Sequence, residues 1–243
     1  MKKVLQSILF LVAVSCASLE SPDSSLVVEA YIFENKPIKN IKLNTVSSIN
    51  DNASGEQIMN VEVYIQNNGI RHQLVQSATD GTFSASSSLT IKAGEDYELL
   101  IFYNDLEITA QTTVPPTPKK LLANKDTLNR SSSSDFIRTT WNNPDSLWHL
   151  GVISNLDPAS KEFPFNNFFS VPTRGNQLEV SSNNVSIAGD AQFILYGITE
   201  EYQKLYRISS SSIGSTNAGN ISNGFGIFAA FSSDTLNIYI KEN

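Results

Sequence analysis

Apolar and polar side chains alternate along most of this chain with the period of strands. "LVVEAYIF" (residues 26–33) is a dense β-branched and aromatic run, and "IKLNTV" (41–46) alternates as a half-buried strand does. "VEVYIQNNGIRHQLV" (61–75) reads as a hairpin, because Asn68-Gly69 tolerates the positive φ angles of a tight primed turn. "SATDGTFSAS" (77–86) repeats the device at Asp80-Gly81, and "YELLIFYNDLEITAQTTV" (97–114) is a further hairpin turning at Asn104-Asp105. After the prolines of "VPPTPKK" (114–120), strands are expected in "DFIRTTW" (135–141), "LWHLGVIS" (147–154), "NQLEVSS" (176–182), "AQFILYGI" (191–198), "FGIFAAF" (225–231) and "TLNIYIK" (235–241). One segment breaks the pattern. In "TEEYQKLYRISSS" (199–211), Thr199 suits a cap, Glu200 and Glu201 suit the positive end of a helix dipole, and Tyr202, Leu205, Tyr206 and Ser209 fall on one face.

The expected fold class is therefore all-β, with two β-sandwich modules. Prolines lack an amide donor and fix φ, so the linker at 114–120 marks the division. Residues 26–116 form an N-terminal sandwich of immunoglobulin-like or transthyretin-like size, and 117–243 form a larger β-rich module with one amphipathic helix near 199–211.

Charge and composition remove several functions. A net charge of −7 leaves no clustered Lys and Arg to hold a phosphate backbone, so nucleic acid is not an expected partner. With one cysteine, Cys16, and two histidines, His72 and His149, neither a disulfide nor a His/Cys zinc site is expected. "NDNASGE" (50–56) and "TDGT" (79–82) lack the alternating ligand spacing of a calcium loop, and no metal or cofactor is expected.

The N-terminus explains the lone thiol. Lys2 and Lys3 precede a largely apolar run at 4–14, too short to span a bilayer, and Ala13-Val14-Ser15 brings small side chains directly to Cys16. This resembles a bacterial lipobox: residues 1–15 are a signal peptide, the Cys16 thiol takes a diacylglycerol, and 16–25 are a lipid-anchored tether. Acyl chains contributing ~0.8 kcal/mol per buried CH₂ then hold the protein on a membrane.

The remaining chemistry is sparse. "GNISNG" (219–224) has its serine at the wrong offset for a nucleophile elbow, and adjacent Glu200 and Glu201 point differently around a helix, which does not suit a two-carboxylate glycosidase. In Asn223-Gly224-Phe225-Gly226 the glycines are expected to make a turn and a tight approach to the last strand, with Phe225, Ile227 and Phe228 packed inside and against the helix; a backbone nest for an anion is the alternative. "KEFPFNNFFSVP" (161–172) interleaves Phe163, Phe165, Phe168 and Phe169 with Pro and Asn. That pattern suits a loop pressed on a partner, the alternative being a plug at the end of the second sandwich.

Several segments together resemble one family. "LVVEAYIF" after a lipobox, "AGEDYELLIFY", "TTVPPTP", "WNNP" (141–144), "ITEEYQKLY" and "NISNGFGIFAAFSSD" (220–234) are similar, in that order, to the Bacteroidota outer-membrane lipoproteins of domain of unknown function 4249. The resemblance implies a carboxypeptidase-regulatory-like first module, an outer-membrane and surface location, and genomic neighbours that are TonB-dependent transporters of the starch-utilisation type. It carries over no catalytic residues. Asp126-Thr127, Asp145-Ser146 and Asp234-Thr235, each followed by Leu, resemble O-glycosylation acceptors of that phylum, so Thr127, Ser146 and Thr235 are candidate sites. The expectation is a non-enzymatic, lipid-anchored accessory protein whose partner is a β-barrel of TonB-dependent transporter type. A surface binder of glycan or peptide, or a carbohydrate-active enzyme, is the alternative.

Overall fold

The computed structural model describes residues 26–45, 58, 61–85, 89–155, 168–209 and 219–242, so the expectations for Cys16, Phe163 and Phe165 lie outside the described residues. Before the prolines run β1 (Leu26–Phe33), β2 (Lys42–Thr45), β3 (Glu62–Asn67), β4 (Ile70–Gln76), β5 (Phe83–Ala85), β6 (Asp96–Tyr103) and β7 (Leu106–Thr113). After them run β8 (Lys119–Ala123), β9 (Thr127–Asn129), β10 (Phe136–Asn142), β11 (His149–Asn155), β12 (Phe168–Phe169), β13 (Gln177–Ser181) and β14 (Gly189–Ile198). The helix α1 (Glu200–Ser209), β15 (Ile221–Ser222) and β16 (Phe225–Lys241) complete the chain. Of the three expected turns, those at Asn68 (φ 49°) with Gly69 (φ 78°) and at Asn104 (φ 48°) with Asp105 (φ 62°) sit in the left-handed region at both positions, while at the third Gly81 (φ 63°) does so without Asp80.

The fold is all-β and sandwich-like. A seven-stranded sheet has the order β12-β11-β14-β16-β1-β2 with β9 joining β16; a six-stranded sheet has the order β15-β7-β6-β3-β4-β5; a three-stranded sheet has the order β13-β10-β8. β16 organises all of this. Two strands were expected at 225–231 and 235–241, but Ser232, Ser233 and Asp234 pair with Gly197, Tyr196 and Leu195 of β14, so the polar triplet lies inside a ladder and the strand is continuous. Its first part pairs in parallel with β1, from Val27↔Phe225 to Phe33↔Phe231. From Phe231 onward it pairs antiparallel with β14, ending at Gly189↔Ile240.

Because side chains alternate across a strand, β16 serves three cores. Phe228 and Ala230 enter the core shared with Leu26, Val28, Val63 and Leu99, between the seven-stranded and six-stranded sheets. Ile238 and Ile240, on the same face, enter a second core with Ile137, Trp141 and Phe193, over the three-stranded sheet. Ile227, Ala229 and Phe231 face the opposite way, into a third cluster with Tyr196, Tyr31, Phe33 and the α1 residues Tyr202 and Leu205. Burying a side chain such as Phe228 contributes ~1.5–3 kcal/mol.

The two sandwiches meet where the proline linker crosses this sheet. Ser232 Oγ donates to Pro116 O at 3.0 Å. A Cβ on Gly197 would lie 2.7 Å from Ser232 Oγ and 3.3 Å from Pro115 Cβ, so the crossing requires glycine. β15 and the first part of β16 return across this linker to pair with β7 and β1.

The "NISNGFGIF" segment closes the first sandwich. Asn220 Nδ2 donates to Gln111 O and to Phe228 O, each at 2.8 Å, while its Oδ1 accepts from Phe228 N at 2.9 Å. Asn223 (φ 59°) donates from Nδ2 to Glu107 O at 2.9 Å. Gly226 (φ 104°) lies so close to β1 that a Cβ would sit 2.0 Å from Val28 O. The glycines thus serve a turn and a close approach, but Phe225 does not pack inside: it is 43% exposed, while Ile227 and Phe228 are buried on opposite faces.

Candidate functional site

Of the aromatics expected at a partner surface, Phe168 and Phe169 form β12, paired with Ile153 and Val152. Phe169 is half-buried and its ring stacks on Tyr206 of α1 at 5.5 Å, which engages it within the fold. Thr127 is half-buried in β9 and donates to Asp126 Oδ1 at 3.0 Å, whereas Ser146 and Thr235 are exposed. No helix among the described residues is long and apolar enough to cross a membrane, and no three His, Cys, Asp or Glu side chains there converge as metal ligands.

A cleft of about 920 Å³ opens at the seam between the sandwiches. One wall is the outer face of the six-stranded sheet, with Gln66, Asp96, Glu98 and Gln111; the other carries Trp148, Arg174, Glu200 and Glu201, and Val114, Pro115 and Pro116 lie between. The second wall is built by Asn143, from "WNNP". Its Nδ2 donates to Leu147 O and Arg174 O at 3.0 Å and to Gly175 O at 3.1 Å, and its Oδ1 accepts from Leu147 N at 2.9 Å. Two loops are thereby tied together. The Arg174 guanidinium then lies 4.6 Å from the Trp148 ring centroid and reaches Glu200 Oε2 at 3.1 Å, while Trp148 Nε1 donates to the same oxygen at 2.9 Å. The Trp148 hydrogen bond, followed by Arg174, holds the Glu200 carboxyl below its usual range. Thr199 caps α1 as expected, its Oγ1 accepting from Tyr202 N at 3.4 Å.

Behind this wall, His149 is buried at 2% exposure, donates from Nδ1 to Leu147 O at 3.0 Å, and has its ring 5.3 Å from that of Trp141. Burial lowers its pKa and keeps it neutral.

A second cavity, of about 540 Å³, lies beside α1 on the other face of the seven-stranded sheet. Tyr31, Phe33, Tyr202 and Phe231 line it, with Glu29, Lys39 and Lys42 among its polar lining residues. Its rings are interlocked: Phe33 stacks on Phe231 at 4.9 Å, and Tyr202 meets Phe231 edge-on at 4.8 Å. Burial pushes the Tyr202 hydroxyl up to about 12.

The sequence places Trp148 in the "LWHLGVIS" strand and Glu200 at a helix start, and joins neither to Arg174. Nothing local could join them, since the three residues meet only through the β11–β14 pairing and the Asn143 tie.

Among solved structures, a crystal structure of domains from titin aligns at 10% identity over 90% of this chain and 66% of that one, with a TM-score of 0.26, which carries no argument. No curated protein matches. Residues 16–237, from Cys16 to Asn237 within the last strand, match the family described as domain of unknown function (DUF4249), and the chain belongs to that family.

Proposed function

We propose that this chain is a lipid-anchored outer-membrane protein, displayed at the cell surface, that works as a non-catalytic accessory subunit of a β-barrel of TonB-dependent transporter type. The observation that carries the reading is the seam cleft. Its walls are outward-facing polar side chains, and they stand on a frame in which one strand, β16, runs through both sandwiches. A surface of that kind suits docking more than it suits the cores, which are filled by other residues. The anchor is supported by Lys2, Lys3 and the apolar run before Cys16, and by a family match that begins at Cys16 itself. Tethering raises the effective concentration of the modules near a membrane partner, so a weak contact suffices.

The test is a mild-detergent pull-down through a C-terminal tag followed by mass spectrometry. A β-barrel partner recovered in stoichiometric amount is the expected result; recovery of the protein alone under every detergent would count against the accessory role. Replacing Cys16 by Ser should shift the protein out of the membrane fraction or stall its processing, and unchanged retention with normal maturation would remove the anchor.

A second reading, a surface binder of glycan or peptide, is favoured by the aromatic cavity beside α1, where ring faces and Lys and Glu side chains line one concavity. Calorimetric titration with oligosaccharides and with Phe33→Ala as control separates it from the first.

A further inference from the structure

The cavity beside α1 is built by elements far apart in the chain. Tyr31, Phe33 and Phe231 share one face of the paired strands β1 and β16, and the Tyr202 ring of α1 packs on Phe231. α1 covers this face only in part. Glu29, two residues before Tyr31 and on the same face, is exposed, as is Lys42, its register partner in β2. Lys39, Asn40, Asp80 and Thr82 complete the lining. The turn between β4 and β5 is carried there by the Ile41–Phe83 bridge, in which Ile41 N donates to Phe83 O at 3.1 Å and Phe83 N to Ile41 O at 2.8 Å.

The polar groups of this lining are not equally free. Asp80 accepts from Thr82 N at 3.1 Å and from Thr82 Oγ1 at 2.9 Å, which commits its carboxylate to the turn. Lys39 and Lys42 make no ion pair among the described residues, and the Tyr31 and Tyr202 hydroxyls have no hydrogen-bond partner there. Burial raises both phenols, so they stay protonated and can donate. Two ammonium groups and two phenol hydroxyls thus stand against one free carboxylate, Glu29.

A ligand that complements such a lining has an apolar body for the rings and carbonyl or carboxylate acceptors for the donors. Sugar hydroxyls demand acceptors in return. A peptide end offers carbonyls, a carboxylate and an apolar side chain together. From Glu29 to Phe33 the strand runs roughly 13 Å, a length that about four extended residues fill.

We infer that the cavity beside α1 takes a short peptide with a free terminal carboxylate, its apolar side chain on the ring cluster and its carboxylate at Lys39 and Lys42. The inference rests on the surface-binder reading above and selects peptide over glycan.

The test is calorimetric titration of the full chain in detergent with the tripeptide Ala-Ala-Phe. Saturable binding is expected, weakened about tenfold for the C-terminal amide, which lacks the charge, and for Ala-Ala-Ser, which lacks the apolar body. Lys39→Gln with Lys42→Gln should weaken the acid about tenfold and leave the amide unchanged. Tyr31→Phe with Tyr202→Phe keeps the rings and should weaken both peptides severalfold. Lys119→Gln with Lys120→Gln removes the same charge from exposed positions outside the cavity and should change nothing. Equal weakening by both lysine pairs, or equal binding of acid and amide, would overturn the site. Trigalacturonate binding more tightly than the tripeptide would assign the lysines to an acidic glycan and overturn the peptide. A neutral trisaccharide that binds and is lost in Phe33→Ala, with no tripeptide binding, would overturn this inference while leaving the surface-binder reading standing; no binding of any of these titrants would end both.

Discussion

The two sandwiches differ in where their strands come from. The second is assembled within the residues after the proline linker: β8, β10 and β13 form one layer, and β9, β11, β14 and the latter part of β16 the other. The first cannot be assembled from residues before the linker, because β15 adds to β7 and the first part of β16 pairs with β1 along seven residues, bringing Phe228 and Ala230 into its core. A division of the sequence is therefore not a division of the fold. The shared strand, the Ser232–Pro116 hydrogen bond and the aromatic cluster under α1 fasten one sandwich to the other, and the seam cleft keeps its shape for that reason.

A chain stopped after residue 218 lacks β15 and β16, and it should show no protected core in residues 26–116 by hydrogen exchange; a folded first module in that variant would mean the borrowed strand is dispensable. Next in size, Gly226→Val drives a branched side chain into Val28 O and imposes it on a positive φ, and it should cost more than ~4 kcal/mol in urea unfolding. Phe228→Ala should cost ~3–5 kcal/mol through the cavity it leaves. Asn220→Ala leaves Gln111 O, Phe228 O and Phe228 N without their partner and should cost ~1–3 kcal/mol, sharpening how much of the closure is polar.

Two smaller effects belong to the second sandwich and the seam. The folded-state pKa of His149 lies below its unfolded value of 6.5, so the folded protein binds fewer protons and stability should fall as pH drops below about 6.5 towards the folded pKa. His149→Phe should flatten that part of the pH profile of the unfolding midpoint. Glu200→Gln is expected to change stability by under ~0.5 kcal/mol, since the Arg174–Glu200 ion pair is exposed on both sides, while loosening Arg174 from the cleft wall.

Much of the frame was legible in sequence. β1 occupies the very residues of "LVVEAYIF", and the turns at Asn68-Gly69 and Asn104-Asp105 followed from the positive φ those residues tolerate. α1 began after Thr199 for the capping reason anticipated. What escaped was non-local. Ser232-Ser233-Asp234 reads as a break because its polarity is visible and its pairing with β14 is not. β8 escaped because its "KKLLA" has no alternation long enough to outweigh the neighbouring prolines. The cleft escaped altogether, since Trp148, Arg174 and Glu200 are brought together by strand register and by one asparagine.

Because β16 runs through both sandwiches, they should unfold as one cooperative frame. Amide hydrogen exchange on Phe228→Ala, in the first core, and on Ile238→Ala, in the second, tests it most directly. Each variant should lower the protection of β6 and β7 and of β10 and β14 by the same factor. Loss of protection confined to β6 and β7 in the first variant, and to β10 and β14 in the second, would contradict it.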